Sequence, residues 1–172
     1  MTIETLARIV PPPTTPFEPY DGPWDPIEAE MGSALPQDFK DFSKLYGCGT
    51  FMSFLWVYVP RSQNPYARLG YQARTICEAF AVLQDTPYPL WPKQGGLMPC
   101  GVTHNGDHLL WLTRGQPSDW SIGVWDPGFG DFELFNCDLT DFLAGLATGE
   151  ILPIDYPDDL LPCDKMFEPS LG

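Results

Sequence analysis

Residues 97–136 read LMPCGVTHNGDHLLWLTRGQPSDWSIGVWDPGFGDFELFN. Within them, Leu97 to Thr103, His108 to Thr113, Trp120 to Asp126 and Phe132 to Asn136 place apolar residues at a period of two, the pattern of a strand. The links carry Asn105-Gly106, Gly115-Gln116-Pro117 and Pro127-Gly128, all of them turn chemistry. Connections this short join antiparallel neighbours, so the stretch predicts a four-stranded meander.

Upstream, Phe51 to Val59 is aromatic and β-branched, with glycines before it and Pro60 after it. It reads as one more buried strand. Between it and the meander, Asn64-Pro65 opens the longest helix: Leu69, Ala73, Ile76, Phe80 and Leu83 step by four and three, ending at Thr86-Pro87. Arg68, Arg74 and Glu78 fall on its solvent side. Two earlier helices are signalled by Asp25-Pro26-Ile27-Glu28, read as N-cap, N1 and a capping box and ended by Gly32, and by Leu35-Pro36-Gln37-Asp38. Phe39, Phe42 and Tyr46 share a face of the second, which Gly47 and Gly49 stop. A last helix follows the meander, with Asp138 as N-cap, Leu139, Phe142, Leu143 and Leu146 as its stripe, and Gly149 as its stop. The order predicts an α+β fold: a mostly antiparallel sheet of about five or six strands, with helices on one face and at both ends.

Outside this body, residues 1–10 allow one short amphipathic turn with Leu6, Ile9 and Val10 on a face, and 11–24 form a stiff proline-rich strap. Residues after 150 are acidic and punctuated by proline, and read as a tail lying on the surface. No internal repeat is present.

The chain has 172 residues, 9 Lys or Arg against 23 Asp or Glu, and a net charge of −14. Its 44% hydrophobic content is too high for a disordered acidic tail, and its length suits a single core. A negative chain without a Lys/Arg cluster lacks the surface that nucleic acid requires. The charge is uneven: residues 1–103 hold ten acids and seven bases, a net of −3, whereas 104–172 hold thirteen acids and two bases, a net of −11. Solubility as a monomer or weak dimer and attraction of an electropositive partner both account for such asymmetry. The longest apolar stretch is far short of the ~20 residues of a membrane span, and the start lacks the features of a secretory signal. Five cysteines at 48, 77, 100, 137 and 163 form no Cys-x-x-Cys pair. They read as buried hydrophobes of a reducing compartment, the cytoplasm.

Signals for catalysis are weak. There is no phosphate-binding glycine motif. His104 and His108 are the only histidines, and a two-residue Asn105-Gly106 loop would put them on opposite faces of a hairpin, both exposed. Cys100 lies roughly 13 Å from His104 along an extended chain, too far for a nucleophile–base pair. No catalytic, cofactor or metal residues are expected. What remains is Trp111, Trp120 and Trp125 beside Asp107, Asp119 and Asp126, with Asp131 and Glu133 following. Aromatics rimmed by carboxylates suit a protein-binding hot spot, although the same tryptophans suit a core beneath helices. Asp107 likewise reads either as a hairpin cap or as a partner contact.

Several blocks stand together in order. Glu28, Gly32 and Leu35-Pro36-x-Asp38-Phe39-Lys40-x-Phe42 lead, then Tyr46-Gly47-x-Gly49-x-Phe51, Gly95-Gly96-Leu97-Met98-Pro99 and Asn105-Gly106-Asp107-x-Leu109-x-Trp111. Together with Trp120-Ser121-Ile122 and the Leu139 to Gly149 helix, this pattern resembles the SUKH superfamily, a group that includes bacterial immunity proteins and the yeast Smi/Knr cell-wall regulators. The likeness divides the chain into a proline-rich arm (1–23), a SUKH-like domain (24–150) and an acidic C-terminal tail packed on it (151–172). The proline-rich stretch and the insert carrying the 65–84 helix are larger than the family's minimal pattern, and the acidic tail after 150 lies outside it. The resemblance implies a non-catalytic binding fold, whose bacterial members neutralise toxins, often nucleases, of contact-dependent or polymorphic systems. An intracellular scaffold or regulator like the yeast branch is the alternative it implies. A basic toxin domain is the partner that the charge makes plausible.

Overall fold

The computed structural model describes residues 2–128 and 130–170; the first residue of the arm, Phe129 and the last two residues of the tail lie outside them. Its centre is an antiparallel sheet of seven strands in the order β6-β5-β4-β3-β2-β1-β7. The strands are β1 Gly49–Phe51, β2 Leu55–Val57, β3 Leu97–Thr103, β4 His108–Leu112, β5 Ser121–Trp125, β6 Glu133–Phe135 and β7 Phe167–Pro169. Strands β3 to β6 are the meander that the period-two pattern predicts. The helices are α1 Ile3–Ile9, α2 Asp25–Met31, α3 Gln37–Leu45, α4 Leu69–Phe80 and α5 Leu139–Thr148. The α+β antiparallel architecture is the one expected, with seven strands rather than five or six.

Three differences from the sequence reading have local causes. The apolar run 51–59 is two strands, β1 and β2, folded into a hairpin by Met52 and Ser53, both at positive φ (52° and 53°). Glycine or asparagine normally announces such a turn, and neither is present. At the β3–β4 turn, Val102 pairs with His108 and the Thr103 N–H receives no two-residue closure; it donates to the Asp107 carbonyl (2.9 Å). The loop is therefore His104-Asn105-Gly106, with Gly106 at φ 93°. That register shares one sheet face among Trp56, Val102 and His108, and His104 stacks on the Trp56 ring at 4.3 Å. The two histidines thus lie on the same face, not opposite ones, and His108 is half-buried rather than exposed. Each imidazole meets a different ring, His108 packing edge-on to Phe80 at 5.1 Å.

The acidic tail is the third difference. It supplies β7, the edge strand beside β1, and Phe167 packs on Phe42 and Tyr46. Tyr156 is buried against Phe54. The proline strap is tied in as well: the Cys48 N–H donates to the Phe17 carbonyl (2.7 Å) and the Tyr20 N–H to the Ser43 carbonyl (3.0 Å).

Trp111 and His108 are three apart on β4, so their side chains leave opposite faces. Trp111 meets Phe39 of α3, and His108 meets Phe80 of α4. The sheet is consequently covered on one side by α3, with α1 and α5 packed alongside, and on the other by α4. This double cover explains why four of the five residues of β4 and of β5 are buried.

Candidate protein-binding surface

Double cover decides the fate of the three tryptophans. Trp111 is 1% exposed, Trp120 5% and Trp125 6%. Trp111 lies between Phe39 (5.0 Å) and Trp120 (6.0 Å), and Trp125 packs on Phe80 (4.8 Å). All three belong to the core, so the expectation that one anchors a partner is corrected. Helices were expected on one face of the sheet and at its ends; α4 covers the other face as well.

Asp107 is buried too, at 3% exposure. Its Oδ2 accepts from the Thr103 hydroxyl (2.7 Å), which in turn accepts from the Asp107 N–H (3.1 Å). It is the hairpin cap, not a partner contact. Burial raises its pKa above the usual carboxylate range, the Thr103 bond offsets part of this, and Asp126 and Asp155 add to the rise.

The remaining sites, Asp119, Asp126, Asp131 and Glu133, are at the surface or half-buried. Asp119 precedes β5 and Asp126 follows it, so they mark opposite ends of the sheet. At the Asp126 end, Asp126 caps the Gly128 N–H (2.8 Å) and Glu133 accepts from the Ile154 N–H (2.7 Å), bringing Asp155 close. At the other end, Asp119 accepts from the Gln116 N–H (3.0 Å). Beside it a cleft of about 430 Å³ is lined by Glu4, Asp38, Asp41 and Asp138, with Trp111 and Trp120 in its wall and no Lys or Arg. Asp38 and Asp138 serve the starts of α3 and α5. Asp138 caps the Asp141 N–H (2.7 Å), and Asp38 reaches across to the Thr140 N–H (3.2 Å), linking the two helices. Desolvation raises the Asp38 pKa, and the nearby Asp138 charge raises it further. Both ends of the sheet are therefore acidic, and half of that acid is already engaged by backbone N–H groups.

The motif residues build the frame. Glu28 does not complete a capping box, since the N-cap of α2 is Trp24 without a side-chain bond. Instead it bridges α2 to α3, accepting from the Leu35 N–H (2.8 Å) and pairing with Lys40 (2.6 Å). Gly32 is the left-handed end of α2, and Pro36 is the N-cap of α3 rather than its first residue. Phe39 and Leu35 are buried, and the buried Tyr46 hydroxyl donates to the Val10 carbonyl (2.7 Å). Gly47 sits at φ 68°, where an added Cβ would collide with the Phe17 carbonyl, and Gly49 lies against Phe167 and Glu168 of β7. These residues place the elements and leave the surface to others.

The buried thiols are all held in their neutral form. Cys100 is fully buried with its thiol pushed well up by desolvation; the Cys48 thiol is pushed up to about 11 and that of Cys77 to about 12, both by burial first. Such thiols stay protonated and inert at neutral pH. Burial lowers the pKa of His108. Among the described residues no group of three or more His, Cys, Asp or Glu could hold a metal ion, and no helix is long and apolar enough to cross a membrane.

The exposed aromatic surface lies elsewhere, and sequence reasoning missed it. Trp56 on β2 is half-buried under the exposed His104, while Tyr66 is 68% exposed and meets Tyr71 edge-on at 6.1 Å. Trp56 sits inside an unbroken apolar run, and Tyr66 in a 3₁₀ turn that the helical stripe does not reach. No signal in either segment separates surface from core.

A single comparison bears on identity. No curated protein and no solved structure matches the chain. The family model SUKH_6, described as SMI1-KNR4 cell-wall, matches residues 22–143. That span runs from just before α2 into α5 and includes the motif residues from Glu28 to Ile122, so the chain belongs to the SUKH_6 family of the SUKH superfamily.

Proposed function

We propose that this chain is a non-catalytic, cytoplasmic immunity protein that neutralises a basic, nuclease-type toxin domain of a contact-dependent or polymorphic toxin system by binding and occluding it. The observation that carries the reading is the collection of carboxylates at both ends of the sheet, including a cleft walled by Glu4, Asp38, Asp41 and Asp138 with no Lys or Arg among the described residues of its lining. A field of one sign over two ends of a small domain accelerates encounter with an opposite charge and disfavours nucleic acid and anionic membranes. The partner it suits is a protein with a basic face, met by a monomer or weak dimer. The family's description as a cell-wall group favours a second reading, an intracellular regulatory or scaffold module. Co-expression decides between them. A toxin domain encoded beside this chain should arrest growth alone and be silenced by the chain; the absence of such a domain, or arrest that the chain does not relieve, contradicts the immunity reading.

A further inference from the structure

Against the α4 face of the sheet, a pocket of about 260 Å³ is walled by Trp56 and Val102 from the strands, Tyr58 just after β2, Tyr66 from the 3₁₀ turn and Gln72 from α4. Its floor holds Cys48 and Ala67, which with Val59 form a small hydrophobic cluster separate from the main core. The four other clefts described each include a charged residue in their lining: the four carboxylates at the acidic cleft, Arg74, Glu78 and Lys93 below α4, Asp159, Asp164 and Lys165 at the tail, and Glu18, Arg61 and Arg68 at the strap. This pocket has no Asp, Glu, Lys, Arg or His in its wall. In a chain of net charge −14, an uncharged recess beside exposed tyrosines is set apart from the acidic surface.

We infer that this pocket is the anchor site for one aromatic side chain of the protein partner. Two observations support that occupant. The volume falls just below the ~300–1,000 Å³ of small-molecule sites and suits a single large side chain. The uncharged wall rejects a charged side chain, whose desolvation nothing there would offset, whereas the faces and edges of Trp56, Tyr58 and Tyr66 offer ring-to-ring packing. The Tyr58 hydroxyl, which accepts from Gln72 Nε2 at 3.4 Å, supplies a polar point in the wall. Aromatic anchors in desolvated pockets carry most of the affinity of an interface, and charges around them set the rate of encounter. The inference rests on the protein-binding reading above and locates its anchor away from the acidic ends.

Titration of the intact protein with N-acetyl-phenylalanine amide, followed on the indole N–H resonances, tests it. The Trp56 resonance, identified by its loss in Trp56→Phe, should move and saturate with a Kd of about 1 mM, as expected for so small a ligand. N-acetyl-arginine amide should leave it in place. Ala67→Met, which fills the floor, and Tyr66→Ala, which opens the exposed rim without touching the core, should each weaken the phenylalanine amide at least fivefold. An unmoved Trp56 resonance, an equal response to the arginine amide, or unchanged affinity in folded Tyr66→Ala overturns the inference. So does binding of free indole with a Kd below about 10 µM, which would mark a small-molecule site. Toxin protection without amide binding sinks the pocket alone, and amide binding without protection sinks the immunity reading alone.

Discussion

Trp111 and Trp56 stand on strands of one sheet, and their surroundings are unlike. Trp111 on β4 is enclosed between Phe39 and Trp120, with a helix over it. Trp56 on β2 is half-buried, with a histidine of the β3–β4 loop stacked on it and an uncharged pocket beside it. Trp111 backs the acidic cleft, yet its own ring is 1% exposed. The region around Trp56 is left for something else to finish. Aromatic identity and strand period are the same in both places; what differs is the cover, and cover is a tertiary property.

Substitutions should separate the two regions by size of effect. Trp111→Ala should cost about 3–5 kcal/mol in denaturant unfolding, the range for a large aromatic lost from a packed core; a loss under about 1 kcal/mol would show that the core is not where it is placed here. Gly47→Ala forces a side chain into positive φ against the Phe17 carbonyl and should cost about 1–3 kcal/mol, loosening the strap along with α3. Glu28→Ala removes an acceptor for the Leu35 N–H and a partner for Lys40, and should cost about 1–2 kcal/mol. Trp56→Ala should cost only about 1 kcal/mol while it lowers partner affinity far more than Trp111→Phe does. Equal destabilisation by Trp56→Ala and Trp111→Ala would erase the contrast.

The smallest effect is read as a slope. Asp38 and Asp107 have folded-state pKa values above their unfolded ones, each from burial first. Their contribution to stability is present below the unfolded carboxylate value, about 3.9, and is lost as pH rises through the raised folded value. Asp107→Asn keeps an acceptor for the Thr103 hydroxyl and removes the charge. Relative to the wild type, it should therefore gain stability as pH goes from about 4 to 7, measured by thermal unfolding. A variant that instead loses ground over that interval would mean that the Asp107 charge is stabilised where it sits.

The same contrast explains what the residues disclosed in advance. The meander, the closing helix and the α3 stripe were legible because period, turn residues and caps agree there: Asn105-Gly106 marks the hairpin, Asp138 does cap α5, and Phe39 and Phe42 do face the core. The split of residues 51–59 was not, because Met52 and Ser53 adopt left-handed conformations that their chemistry does not advertise. The role of the tail was not, because β7 pairs with β1 more than a hundred residues away and its three residues carry no pattern of their own. The tryptophans misled for a related reason. Acids flank Trp111, Trp120 and Trp125 in sequence, but Phe39 of α3 covers the Trp111 side of the sheet and Phe80 of α4 the Trp125 side. The anchor surface instead joins β2, a 3₁₀ turn, α4 and the β3–β4 loop, and no local window contains all four.

The opposition between acidic ends and a neutral pocket assigns rate to one and residence to the other. The most direct test is the association rate between this chain and the toxin domain encoded beside it, measured by stopped flow from about 20 to 200 mM NaCl, where the screening length falls from about 20 Å to below 10 Å. The account predicts that the association rate drops at least tenfold over that range in the wild type and that Tyr66→Ala accelerates dissociation while leaving the salt slope intact. An association rate indifferent to salt would contradict it.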